Sequence, residues 1–234
     1  MASSASTPTQ SFTSGTRPSL SAVPHLVDGA RRWGCRDWVP PGDYARVRLD
    51  PALGAAIAAA YVAAPTLDQQ AVASYDAFRR ETVRQYEYLV GRPEFGGLGV
   101  TVRVMDVDPY TKAGTMIDDL AHRTLKVFAT AATDNPHPYL SDAENDMFRA
   151  VHDAFGHAAI GRGFDRHGEE AAWLKHSGMY SRLARRALTT ETRGQNCAMI
   201  FHHRYERFPE QKAALLPRAF SDPRTVRLAG LPSG

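Results

Sequence analysis

Apolar positions recur at helical spacing along most of this chain and alternate over only two short stretches. The Ala-rich stretch 51–63 predicts a buried helix ended by Pro65. From about Thr66 to Val90 the residues Val72, Tyr75, Phe78, Val83, Tyr86 and Leu89 trace one helical stripe, stopped by Gly91 and Pro93. Val100 to Met105 alternates and predicts a strand; a second short strand is expected at Leu125 to Ala129. Ser141-Asp142-Ala143-Glu144 has the spacing of a capping box, opening a helix with Met147, Phe148, Val151 and Phe155 on its apolar face. Gly156 is expected to end that helix in the left-handed conformation. After the loop Gly161–Asp165 a long helix is expected from about Gly168 to Thr190, then another over Cys197–Tyr205, with Phe208-Pro209-Glu210-Gln211 opening a short last one. Residues 25–50, with Trp33, Trp38 and Pro40-Pro41-Gly42, read as an irregular but packed lead-in. The fold class is mainly α: a single helical domain with a small β element.

Residues 1–24 are rich in Ser, Thr, Pro and Ala, so burial cannot offset their ordering entropy and a disordered tail is expected, followed by one domain over 25–234. The net charge of +3, from 28 basic and 25 acidic side chains, is too small and scattered to predict a nucleic-acid partner. Arg185-Arg186 and Arg204 with Arg207 read as solvated helix faces. No window approaches the roughly 18 apolar residues of a membrane span, and no membrane partner is expected. The two cysteines, Cys35 and Cys197, form no CxxC pair, which fits a reducing, cytoplasmic setting.

The chemistry is concentrated in Val151-His152-Asp153-Ala154-Phe155-Gly156-His157. Neutral imidazole is the commonest protein ligand for transition metals, and two of them with one carboxylate make a site with open coordination positions. Five residues of ideal helix separate two side chains by about 140°, so the helix must depart from ideality for one ion to reach both. Glu191 is the favoured third ligand, because it continues the apolar stripe of Ala184, Ala187 and Leu188, where a carboxylate is costly unless bound or bonded. Glu169 and Glu170, in the first turn of the expected long helix, and Asp165 are the other candidates. Asp153 suits an acid–base or ligand-orienting role.

The block His152-Asp153-Ala154-Phe155-Gly156-His157 resembles the His-Glu/Asp-x-x-Gly-His block of the pterin-dependent aromatic amino acid hydroxylases. The stretch Leu183 to Gly194, with Thr189-Thr190-Glu191, is similar to the segment around that family's third iron ligand; the resemblance covers about residues 120–196. It implies a non-haem Fe(II) held by His152, His157 and Glu191, O2 and a small organic substrate as partners, a reduced pterin as two-electron donor, and a hydroxylation. It places Asp153 beside the pterin and its water. The chain departs from the family in three places, one being that no pterin-contact segment is found before the strand at Leu125. The loop Thr133–Tyr139, where the family grips its substrate carboxylate with an Arg, has none, and only 34 residues separate His157 from Glu191.

Two other readings stand beside this monooxygenase. His122, His152-Asp153 and Asp165 match the ligand pattern of an HD-type metal-dependent phosphohydrolase, and the same histidines could serve a non-catalytic, metal-stabilised protein. His137, His167, His176, His202 and His203 read as core or surface residues, Trp173, Met179 and Tyr180 as core, and Arg162 and Arg193 as solvent-facing.

Overall fold

A computed structural model describes residues 20–230 of the chain. It is mainly α-helical, with four short strands in two separate pairs. Helices α1 (Pro24–Trp33), α2 (Pro51–Ala63), α3 (Val72–Val90), α4 (Ala113–Ala121), α5 (Asp142–His152), α6 (Arg166–His176) and α7 (Ala184–Thr189) carry most of the core. Strands β1 (Val47–Arg48) and β4 (Arg227–Leu228) pair antiparallel, which ties the lead-in to the C-terminal segment. Strands β2 (Thr101–Met105) and β3 (Thr124–Phe128) pair in parallel, joined through α4, with Thr101 opposite Thr124. No helix among the described residues is long and apolar enough to cross a membrane.

The apolar stripe of α3 turns inward at Tyr75, Phe78 and Leu89, but Val72, Val83 and Tyr86 are only half-buried, and Thr82 and Gln85 are buried in that helix instead. α3 packs on α5 and α7, burying Tyr75, Phe78 and Leu89 from its own face against Phe148, Val151 and Leu188. Each large side chain fully withdrawn from water contributes about 1.5–3 kcal/mol. A smaller cluster, with Ile57, Ala58 and Tyr61 of α2 against Cys197 and Ala198, closes the other side of α7's continuation. α5 opens on the expected capping box: Glu144 N–H donates to the Ser141 hydroxyl, and Glu144 Oε2 accepts from Ser141 N–H.

Several expectations are corrected. The lead-in contains a regular helix, α1, with Pro24 at its first turn and Gly34 as its left-handed C-cap. The disordered tail of 1–24 falls mostly outside the described residues, but Val23 N–H bonds to Ala158 O, so the packed body begins before residue 25. The stripe from Thr66 becomes α-helical only at Val72, after Asp68 caps a short 3-10 turn. The long helix of 168–190 is two: α6 gives way to a 3-10 turn at Ser177–Met179, and Tyr180 is extended before α7. No helix forms at 208–217. That segment is extended, and Ala213 bridges to Leu67.

The consequential departure is at Gly156. It does not take a positive φ and does not end the helix. Instead α5 runs straight into a π-helical turn, Asp153–Ala158, and Ala159 N–H bonds five residues back to Ala154 O. α7 likewise passes into a π-helical turn at Thr190–Gly194, and a third covers Ala198–His202. Such turns are rare and concentrate at functional sites.

Candidate metal centre

The π-turn solves the angular problem posed by the histidine spacing. Hydrogen bonding from i to i+5 widens the turn by about one residue, which brings the fifth residue back nearly over the first. The ring centroids of His152 and His157 accordingly lie 5.1 Å apart, edge to face. Glycine at 156 is required for space rather than for φ. A Cβ there would lie 3.0 Å from His152 Nδ1 and 3.3 Å from Ala172 O, so any larger residue displaces the imidazole.

Both rings are oriented from behind. His157 Nδ1 lies 3.2 Å from Arg162 O and, facing a carbonyl, carries a proton, so the neutral ring has its lone pair on Nε2. His152 is set by a longer chain. Gln85 Nε2 donates to Met179 O, which turns its Oε1 toward His176 Nε2 at 2.8 Å. His176 therefore donates from Nε2 and accepts at Nδ1, and the 3.1 Å contact from His152 Nδ1 makes that nitrogen the donor. The lone pair of His152 is thereby assigned to Nε2, an atom buried with no hydrogen-bond partner. A ligating histidine held through its other nitrogen has this arrangement.

Among the described residues, the one group of three or more His, Cys, Asp or Glu with ligand atoms all within 4.8 Å is His152, His157 and Glu169. Glu169 Oε2 lies 3.5 Å from His157 Nε2 and accepts from Asn196 Nδ2 at 2.7 Å. Donors about 2.1 Å from one ion in a facial arrangement are about 3 Å apart, so the three would close in on an ion from their present separations. Glu191, the expected third ligand, lines the same cavity but is outside that group. One oxygen of its buried carboxylate is engaged within the protein: Oε1 meets His137 Nε2 at 3.1 Å and the Tyr75 hydroxyl, which also reaches Lys212 O. His137 can only donate there, because its Nδ1 already accepts from Tyr139 and Leu140 N–H.

The remaining candidates are placed elsewhere. Glu170 forms a buried ion pair with Arg193, whose guanidinium stacks 4.1 Å over Trp173 and reaches Phe220 O and Thr225 Oγ1. Arg193 and Arg162 are both buried rather than solvent-facing. Asp165 is the N-cap of α6, accepting from His167 and Gly168 N–H. His122 is exposed at the end of α4, with Nδ1 2.8 Å from Asp118 O. The HD-type constellation is therefore not assembled.

Electrostatics follow from this burial. His152 is held well below the ordinary imidazole range by burial and by its neighbours His157 and His176, and His176 is lowered to about 3, mainly by burial. Burial opposes charge on His157 too, but Glu169, Asp153 and the Arg162 carbonyl outweigh it and raise its pKa. Asp153, half-buried on the cavity wall, is pushed up to about 7 by burial, with His157 pulling against that and Glu169 adding to it.

The cavity itself is about 300 Å³ and opens to solvent between β3, α5 and the Phe208 segment. Besides the acids and histidines it presents Phe148, Phe164 and Phe208 as apolar wall, and Lys126 and Arg149 as cations. Sequence reasoning did not single out Arg149 or Lys126. Arg149 lies three residues before His152, nearly one helical turn, which was the available signal. Comparison with family models, with curated proteins and with solved structures finds no match to this chain, and none of these ties it to the aromatic amino acid hydroxylases.

Proposed function

We propose that the chain is a mononuclear non-haem Fe(II) enzyme in which His152, His157 and Glu169 hold the metal, and that it catalyses an O2-dependent hydroxylation of a small organic molecule. The observation that carries this reading is the buried, unpartnered Nε2 of His152, beside a second imidazole and a carboxylate. A buried polar atom without a partner is costly, and a cation removes that cost. Two imidazoles and one carboxylate with open positions are the donor set of Fe(II) oxygenases. When bound, the iron supplies O2 activation. Overall, one oxygen atom enters a substrate C–H bond as hydroxyl and the other leaves as water. Two electrons and two protons come from a reduced pterin, the donor class that the sequence resemblance implies.

The protein's own contributions are positional. Gln85 and His176 hold His152 in the correct tautomer, and the Arg162 carbonyl does the same for His157. Phe148, Phe164 and Phe208 form the apolar part of the wall, and Arg149 gives it charge to hold an acidic group of the substrate, Lys126 being paired with Asp119. Asp153 takes the orienting role beside the pterin.

Anaerobic reconstitution with Fe(II), elemental analysis and an oxygen electrode test the proposal. One iron per chain and O2 uptake that depends on a tetrahydropterin are expected. Zinc or paired metals with phosphoesterase activity, and no O2 uptake with any reductant, would overturn it.

A further inference from the structure

A second cavity, of about 780 Å³, shares no lining residue with the histidine site. It lies between the segment after α1, the approach to and start of α7, and the turns at 218–224. Its wall carries six arginines and a single carboxylate, Asp222. That carboxylate is already committed: Arg224 Nε and Nη2 donate to it at 3.0 and 2.6 Å. The other five arginines of the wall form no ion pair with an acid among the described residues, in a chain whose net charge is only +3.

The cluster is built rather than scattered. Arg36 and Arg185 lie 4.3 and 4.7 Å from the ring of Trp38, which fixes both planes by cation–π attraction. Arg185 is further anchored by donating to Ser177 O and Tyr180 O. Burial and the positive charges of Arg36 and Arg182 hold Arg185 below the usual guanidinium range. Trp38 Nε1 and Arg186 Nε, both on residues of this wall, are buried donors without a partner. Arg182 and Arg218 are exposed at the rim and make no side-chain hydrogen bond or ion pair among the described residues. Every cation is an arginine, the side chain whose planar fork matches phosphate oxygens two at a time.

Orphan donors and unpaired guanidiniums demand an anion. The volume is in the range of small-molecule sites, which exceeds a lone phosphate. The charge is confined to one concavity rather than spread as a stripe, which disfavours a nucleic-acid track. We propose that this cavity binds a small molecule bearing two or more linked phosphates, with Arg36, Arg182 and Arg218 on the phosphate oxygens and Trp38 holding the arginine planes ready.

The test is titration calorimetry of the full chain with inorganic phosphate, pyrophosphate, tripolyphosphate and ATP, at 50 and 200 mM salt. Saturable one-to-one binding is expected, strengthening with phosphate number and weakening as salt screens the charges. Arg182→Glu with Arg218→Glu should lower tripolyphosphate affinity at least tenfold while melting temperature and iron binding stay unchanged, since neither side chain supports the fold. Three results would overturn the proposal: no saturable binding at 50 mM salt, equal binding by the double variant, or RNA or heparin binding that tripolyphosphate cannot displace.

Discussion

Two carboxylates of the metal cavity, Glu169 and Glu191, show what distinguishes a metal ligand from a structural acid. Glu191 is the more deeply buried, and burial made it the natural choice from sequence. Yet its exposure to a cation is reduced by a private pair of donors, the Tyr75 hydroxyl and His137 Nε2, which sit on the same oxygen. Glu169, in the first turn of α6, is less buried, but the oxygen that meets Asn196 also faces the lone pair of His157. What separates the two is position, since Glu169 alone brings an oxygen within 4.8 Å of both imidazoles, and burial does not measure that.

The strongest way to break this contrast is to remove each acid in turn. Glu169→Ala should weaken Fe(II) binding by more than about 100-fold, beyond the 10–100-fold typical of outer-shell changes, in an anaerobic metal titration. Glu191→Ala should cost less than about tenfold in affinity. If the two effects are reversed, Glu191 is the ligand and Glu169 merely neighbours it. Stability should rank them the other way. Glu191→Ala leaves the Tyr75 hydroxyl short of one partner and the His137 N–H with none, so denaturant unfolding should show a loss of about 2–4 kcal/mol. Glu169→Ala, losing a part-buried bond to Asn196 and a longer contact with His157, should stay within about 1 kcal/mol.

The tautomer chain offers a subtler probe. Gln85→Leu, far from the cavity in sequence, removes the acceptor that fixes His176 and through it His152. Iron affinity should fall by about 10–100-fold. Gln85→Glu keeps the acceptor and should restore most of it; equal losses in both variants would reduce Gln85 to a packing residue. The smallest expected effect on stability is from Gly156→Ala. Alanine gains about 1 kcal/mol of helix propensity, which the contact with His152 and Ala172 O offsets. Thermal unfolding should therefore barely move while iron affinity drops, and unchanged affinity would mean that the imidazole has room to shift.

How much of this was legible in the sequence depends on how local the cause was. Ser141 and Glu144 announced the start of α5, and alternation found β2 and β3, because each signal lies within a few residues. The two histidines were legible for the same reason. Glu169 was visible, but an acid in a first helical turn has an ordinary explanation in the helix dipole. The satisfaction of Glu191 was not visible, since Tyr75 and His137 come from distant parts of the chain. The same holds for Gln85 behind His176. Arg185-Arg186 read as a solvated face because their partner Trp38 is nearly 150 residues away in sequence, and only the fold sets it between Arg36 and Arg185.

The π-turn at Asp153–Ala158 has a consequence in terms of chain length. A wide turn is an α-helix holding one residue too many, and the surplus is what swings His157 back over His152. Deleting one residue there, such as Ala154, would leave the histidines four apart, and an ordinary helix would then place both on one face without a wide turn. Straightening the segment without shortening it, by contrast, would set the two imidazoles about 140° apart and leave no site.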